Sequence, residues 1–285
     1  MRAFEFLEPR SVEEASVLLL RLGEGARALA GGTSLMLLMR QRLAEPTHLV
    51  HLGNIDELRG IRVDDAGQLR IGAIATHTEI AGHAAIRERF PVIAAMAAEV
   101  ANSQIRNVAT LGGNLCNGDP ASDPPTCLVA LGARVRVQRG GDEREIELDH
   151  FFRGYYENAL ELGDLLVEVI VPPLPRNGAA LYSRFITTPA EGRPLTAVAL
   201  RAVGQGVWTE VRLALGAVVP APARTSEAER FLTRRKLTPD VLAEAAELAV
   251  RDLDPIDDFR SSGAYRRDVT RVITRRLLER AAGVG

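Results

Sequence analysis

Ala28-Leu29-Ala30-Gly31-Gly32-Thr33-Ser34-Leu35 is a short apolar run, two glycines, two hydroxyl residues and the first residue of a periodic apolar segment that continues to Leu43. That order predicts strand, tight bend, helix. Glycine allows a sharp bend and a close approach to a ligand. The first amides of a helix have no partner inside it and lie at the positive end of its dipole. Such a junction suits a phosphate or diphosphate, and Thr33 and Ser34 could add hydroxyl donors. No Gly-Lys-Ser/Thr follows, so it is not a P-loop. The G-x-G-x-x-G spacing is missing too, so a Rossmann dinucleotide fold is not supported. A plain turn with an N-cap would use the same residues.

Working outward, the stretch sits in a small α/β unit. Phe4 and Phe6 alternate with Glu5, Ser11 and Glu14 have the spacing of a capping box before a Val12–Leu22 helix, and His48 to Leu52 reads as a strand. Leu69 to Ala73 is a further strand candidate, and Phe90 to Asn102 carries a helical period. Residues 105–123 are rich in Gly, Asn and Pro, too irregular for one element, and segments of that kind are often functional. Within them Thr110-Leu111-Gly112-Gly113-Asn114 repeats the chemistry of the first loop, with Arg106 upstream able to neutralise phosphate. Two such loops could clamp a diphosphate from two sides. Asp119 and Asp123 flank Pro120-Ala121-Ser122; a carboxylate can accept two sugar hydroxyls, although Asp-Pro sequences also build turns.

Val135 to Gln138, Gly140-Gly141 and Ile146 to Leu148 predict a hairpin, and Leu165 to Val171 a strand. After Pro172–Asn177 the pattern becomes three strands (181–186, 196–203, 207–218) and three helices (226–233, 239–251, 264–282), a small α+β domain. The 285 residues suffice for two or three modules. With 35 basic against 37 acidic residues, net charge gives no reason to expect nucleic acid or an anionic membrane. Two cysteines, Cys116 and Cys127, are too few for a four-thiolate cluster and read as packing residues. His48 and His51 read as structural, and the arginines of the last helix as a solvated face or a subunit contact. No acid–base pair, catalytic residue or metal site is evident. Charged residues interrupt any leader at the N-terminus, and no apolar run reaches membrane length, so a cytoplasmic chain is expected.

Ala30 to Ser34, Ile105 to Asn114 and Pro120-Ala121-Ser122-Asp123, in this order, closely resemble the FAD-binding subunit of molybdenum hydroxylases, the family of the carbon monoxide dehydrogenase medium subunit and the xanthine dehydrogenase flavin domain. Phe151-Phe152, Gly163 to Leu166, Val171-Pro172 and Ser262 to Arg266 extend the resemblance over nearly the whole chain. The resemblance implies an α+β chain: a PCMH/VAO-type FAD-binding fold of two α/β subdomains (1–57 and 58–175) plus a C-terminal three-stranded sheet with helices (178–285). By position, Ala30, Gly31, Gly32, Thr33 and Ser34, with Thr110, Leu111, Gly112, Gly113 and Asn114, would hold the FAD diphosphate. Asp123 would bind the polyol, Val100 would line the cofactor, and Leu166 would approach the isoalloxazine. Arg184 falls where relatives often carry a cofactor-contacting Lys. Basic residues that follow in relatives are replaced by Thr187-Thr188-Pro189-Ala190-Glu191. The resemblance further implies molybdopterin on a large partner subunit, [2Fe-2S] clusters on a small one, and FAD here passing electrons to an external acceptor. A stand-alone flavin reductase of the same fold and a cofactor-less scaffold are the competing readings.

Overall fold

The computed structural model describes residues 2–188 and 192–284. Pro189, Ala190 and Glu191, part of the segment that departs from the family pattern, lie outside the described residues.

The N-terminal unit consists of β1 (Glu5–Leu7), α1 (Val12–Leu22), β2 (Ala26–Leu29), α2 (Leu35–Arg40) and β3 (His48–His51), with the strands parallel in the order β1-β3-β2. Helix α1 starts where the Ser11 hydroxyl accepts the Glu14 N–H at 3.1 Å. The expected box is not reciprocal, because the Glu14 carboxylate takes the amide of Arg10, at 2.7 Å. The helix buries Val12, Ala15, Ser16 and Leu19. Buried Ser16 then joins this unit to the next: its hydroxyl donates to Gly163 O and accepts the Gly140 N–H, each at 2.7 Å.

The second unit runs through β4 (Ile61–Val63), β5 (Leu69–Gly72), α3 (His77–Gly82), α4 (Ala84–Arg89), α5 (Pro91–Glu99), α6 (Ser103–Arg106), α7 (Leu111–Asn117), α8 (Asp123–Leu131), β6 (Arg134–Arg139), β7 (Asp142–Glu147), β8 (Phe152–Gly154), β9 (Glu157–Asn158) and β10 (Leu165–Val171). Its main sheet is antiparallel in the order β4-β5-β10-β6-β7. All seven residues of central β10 are buried, including Glu168. A buried carboxylate needs partners, and Glu168 has Arg62 and Arg70 at 2.8 Å each, with Arg136 at 3.8 Å. The predicted hairpin is β6–β7.

Two expectations are corrected here. Residues 105–123 are not irregular: they hold α7 and the first residue of α8. Helix α8 is buried along its whole length, so no polar face marks it in the sequence, and its Pro124-Pro125 resembles a turn although proline fits the first helical turn. The C-terminal sheet, in turn, has four strands. It comprises β11 (Gly178–Phe185), β12 (Thr196–Val203), β13 (Glu210–Gly216) and the two-residue edge β14 (Ala223–Arg224), antiparallel in that order. Two residues are too short to show alternation. Helices α9 (Ser226–Leu232), α10 (Pro239–Val250) and α11 (Gly263–Ala282) complete the chain around a core that includes Trp208, Leu213 and Leu242.

Helix α8 is the keel between the units, with α5 on one side and β12 and β13 on the other. The approach is so close that a Cβ at Gly216 would lie 1.9 Å from Thr126 Oγ1. At the far end of α8, Arg212 of β13 donates to Val129 O at 3.0 Å and pairs with Asp149 at 3.2 Å. Val129 O keeps the Gly132 N–H at 3.1 Å and Asp149 keeps Arg224 at 3.6 Å, so what Arg212 adds is two bonds from a charged donor across the domain boundary. Arg212→Ala is therefore expected to destabilise the chain by about 2 kcal/mol, read as a lower urea midpoint; an unchanged midpoint would show that the keel is held without it.

Candidate functional site

The two glycine loops, remote in sequence, touch in space. A Cβ on Gly31 would lie 1.9 Å from Val108 O and 3.0 Å from Ala109 Cα. The first loop therefore rests its bare backbone on the residues that lead into the second. Gly32 adopts φ +70, the left-handed region that glycine reaches without strain.

The two loops differ in what they leave free. In the first, no acceptor among the described residues takes the N–H of Gly31, Gly32, Thr33, Ser34 or Leu35. The first amide to bond back is that of Met36, to Gly32 O at 2.9 Å. In the second, Leu111 N–H donates to Ala75 O at 2.9 Å and Gly112 N–H to Ala73 O at 2.8 Å. Gly113 N–H goes to the Thr110 hydroxyl at 3.1 Å, and Asn114 N–H to Thr110 O at 2.9 Å. Free amides were expected at both helix starts; they are found only at the first. The second loop spends its own on holding itself against residues 73–75, and Gly112 allows that contact, since a Cβ there would lie 2.7 Å from Ala73 O. Gly113 is exposed and Asn114 half-buried, its Oδ1 accepting the Ser122 hydroxyl at 2.7 Å, while Thr110 is buried. Arg106 is likewise committed: Nη1 donates to Val100 O at 2.8 Å and to Ala101 O at 3.2 Å. These bonds steady Ala101, which has φ 43.

Val100 ends α5 and Leu166 lies on β10; both are buried apolar residues of the core. Asp123 opens α8 and is buried. The Tyr182 hydroxyl donates a short hydrogen bond to its Oδ1, and Arg184 Nη1 donates to its Oδ2 at 2.9 Å. Arg184 also pairs through Nε with Glu99 at 3.1 Å and donates to Gly192 O at 3.2 Å. Burial pushes Asp123 up to about 6, against the pull of Arg184 and Tyr182 and with a smaller push from Glu99. Because this exceeds the ordinary carboxylate value, folding takes up a proton at Asp123, and the resulting stability is lost as pH rises through about 6. Burial and the neighbouring carboxylate hold the Tyr182 hydroxyl well above its usual range, so it stays a donor. Alongside, Arg193 grips Asp119 at 2.6 and 2.7 Å.

Sequence reasoning missed Tyr182 and Glu99. Tyr182 stands two residues before Arg184 on one strand, hence on the same face, which was a usable signal; Glu99 offered none. Beneath the second loop His77 is buried, and burial with Arg106 nearby lowers its pKa to about 4, so its ring is neutral. Burial pushes the Cys116 thiol up to about 12, and Cys127 is raised as well, which makes both thiols inert. No group of three or more potential metal ligands occurs among the described residues.

Gly31→Ala should part the loops, because the methyl group would meet a backbone carbonyl that cannot rotate away. Binding of added FAD is expected to weaken more than tenfold, by an estimate of about 2 kcal/mol of overpacking strain. Unchanged FAD affinity in a titration would mean that the contact does not shape the site.

Comparison with known proteins identifies the family. Residues 2–174 match the family "FAD binding domain in molybdopterin dehydrogenase", and residues 194–281 match "CO dehydrogenase flavoprotein C-terminal domain". The chain is 31% identical to the carbon monoxide dehydrogenase medium chain of Hydrogenophaga pseudoflava, covering 98% of this chain and 96% of that one. It is 34% identical to the nicotine 6-hydroxylase medium subunit of Paenarthrobacter nicotinovorans, covering 98% and 97%. The solved carbon monoxide dehydrogenase of Hydrogenophaga pseudoflava superposes with a TM-score of 0.95 at 31% identity, covering 99% of this chain and 98% of that chain. Quinoline 2-oxidoreductase from Pseudomonas putida 86 superposes with a TM-score of 0.92 at 31% identity, covering 99% and 98%. With its loops, its buried carboxylate and both halves of its length accounted for, the chain belongs to the family of FAD-binding subunits of molybdopterin dehydrogenases, and is an FAD-containing oxidoreductase subunit.

Proposed function

We propose that this chain is the electron-transfer subunit of a molybdenum hydroxylase complex. It takes electrons from [2Fe-2S] clusters on a small partner subunit and passes them to an external acceptor, while a molybdopterin-bearing large subunit oxidises the substrate. The observation that carries this reading is the row of five unpartnered amides, Gly31 to Leu35, held beside the second loop by the Gly31–Val108 contact. Unpaired amides at a helix start suit a diphosphate.

On this reading Ala30 to Ser34 and Thr110 to Asn114 hold the FAD diphosphate, the first loop by backbone amides and the second by side chains and shape. Asp123 accepts hydroxyls of the polyol, Val100 and Leu166 form the apolar wall, and Arg184 sets the charge beside them. FAD, when bound, supplies the ability to exchange electrons singly or in pairs, and the protein supplies position and electrostatics. Residues 1–57 and 58–175 act as the two FAD-binding subdomains and 178–285 as the C-terminal domain. The relatives' names support assembly with other subunits, since a medium chain or medium subunit implies larger and smaller companions. No described helix is long and apolar enough to cross a membrane.

A stand-alone reductase needs a proton donor facing its substrate. The buried polar groups around Asp123 are instead engaged with one another, which favours the subunit reading.

Purification of the complex from its native host provides the test. Metal analysis should find molybdenum and iron, mass spectrometry two companion chains, and sub-stoichiometric anaerobic dithionite should bleach the flavin band after the iron–sulfur bands. A chain that purifies alone, yellow and active, would support the reductase reading, and a colourless chain that takes up no FAD would support the scaffold.

A further inference from the structure

The stretch 175–193 lies between the two family matches, which end at 174 and resume at 194. It contains β11, and β11 sends two side chains from one face into the FAD-binding part of the chain: the Tyr182 hydroxyl and the Arg184 guanidinium both end on Asp123. We propose that Tyr182 and Glu99 are positioning residues of the FAD site, Tyr182 fixing the Asp123 carboxylate and Glu99 fixing Arg184 against it. The strand between the two matched regions thus completes the cofactor pocket. The inference rests on the reading that Asp123 accepts hydroxyls of the FAD polyol.

An ionised carboxylate has about four acceptor positions. Here each oxygen receives one internal donor, Tyr182 at Oδ1 and Arg184 at Oδ2. The group is held at both ends and cannot rotate freely, and each oxygen keeps a lone pair for a ligand hydroxyl. Arg184 is held in the same way. Its planar fork spans Glu99 through Nε and Asp123 through Nη1, a bridge that the point charge of a lysine cannot make. The side chains of Asp123 and Arg184 are 4% and 11% exposed, so their mutual orientation is set by packing, whereas Glu99, at 52%, reaches the pair from the rim.

Two carboxylates share one guanidinium, and this gives Tyr182 and Glu99 opposite electrostatic signs at Asp123. The Tyr182 bond favours the ionised form; the charge of Glu99 disfavours it. The neighbours on other elements are accounted for. Cys127, on α8 itself, is a neutral thiol. Asp119 and Arg193 pair with each other ahead of α8. Arg212, Arg224 and Asp149 form a set against the opposite end of α8.

The test is FAD affinity of the full-length chain as a function of pH, from about pH 5 to 8, by quenching of flavin fluorescence. An ionised Asp123 is the better acceptor, so wild-type affinity should fall as pH drops through about 6. Tyr182→Phe should weaken binding about tenfold above the fall, by loss of one hydrogen bond to a charged group, and move the fall to higher pH. Glu99→Gln should leave affinity above the fall within about twofold, as for an exposed ion pair, and move the fall to lower pH. Opposite displacements support the proposal; displacements of the same sign, or none, overturn it. The folded fraction of each variant, followed by circular dichroism over the same pH range, is divided out of its binding curve, so that a pH-dependent loss of fold is not read as a displacement. Asp123→Asn separates the two layers. If it binds FAD as tightly as wild type, the reading of Asp123 fails. If it loses affinity and its pH dependence while the other two variants titrate like wild type, only the present inference fails.

Discussion

Contact of Gly31 with the carbonyl of Val108 is the constraint on which the site depends. No side chain fits between them, so the strand–loop–helix of the N-terminal unit meets the segment from α6 to α7 backbone to backbone. That contact sets the first loop beside the second and leaves the amides of Gly31 to Leu35 without internal acceptors. A buried amide without a partner is costly, and these are tolerated because the loop is only half-buried, with Ser34 exposed. The second loop has the opposite design. Its amides are consumed by Ala73, Ala75 and Thr110, so it is a rigid wall rather than a second row of donors. Two stretches that look alike in sequence thus divide the labour.

The buried carboxylate follows from the position of α8. A helix with no solvent face must place its first residue somewhere inside, and here Asp123 lies where α5 and β11 converge. Burial alone would favour its neutral form. Donors from β11 oppose that, the charge of Glu99 adds to it, and the balance leaves a group that titrates near 6. The C-terminal domain is therefore more than a companion to the flavin domain: its first strand supplies the polar environment of buried Asp123, and its later strands clamp α8 through Arg212 and the Gly216–Thr126 contact.

Much of this was legible in the sequence. Elements with strong period or punctuation (α1, the β6–β7 hairpin, β10, β12, β13 and the last three helices) are found where their residues place them. The loops and Asp123 were recognisable from motif and order, and the first loop does rest on the residues that lead into the second. What could not be read was of three kinds. Helix α8 is buried on every side and carries two prolines in its first turn, so neither amphipathicity nor composition announces it. Strand β14 is shorter than any alternation. The spent amides of Leu111 and Gly112 depend on pairing with residues 73–75, a register that local sequence does not encode, whereas those of Gly113 and Asn114 go to nearby Thr110. Glu99 escaped notice for the same reason, because its importance arises from tertiary proximity to Arg184 and Asp123, whereas Tyr182 shares a strand face with Arg184 and could have been found from that spacing.

Amide hydrogen exchange of the full-length chain, with and without FAD, is the most direct check on this unequal pair of loops. The account predicts that Leu111 to Asn114 exchange slowly in both states, while Gly31 to Leu35 exchange fast alone and become protected when FAD is added. Fast exchange at Leu111 to Asn114 that only FAD suppresses, or no FAD-dependent protection at Gly31 to Leu35, would contradict it.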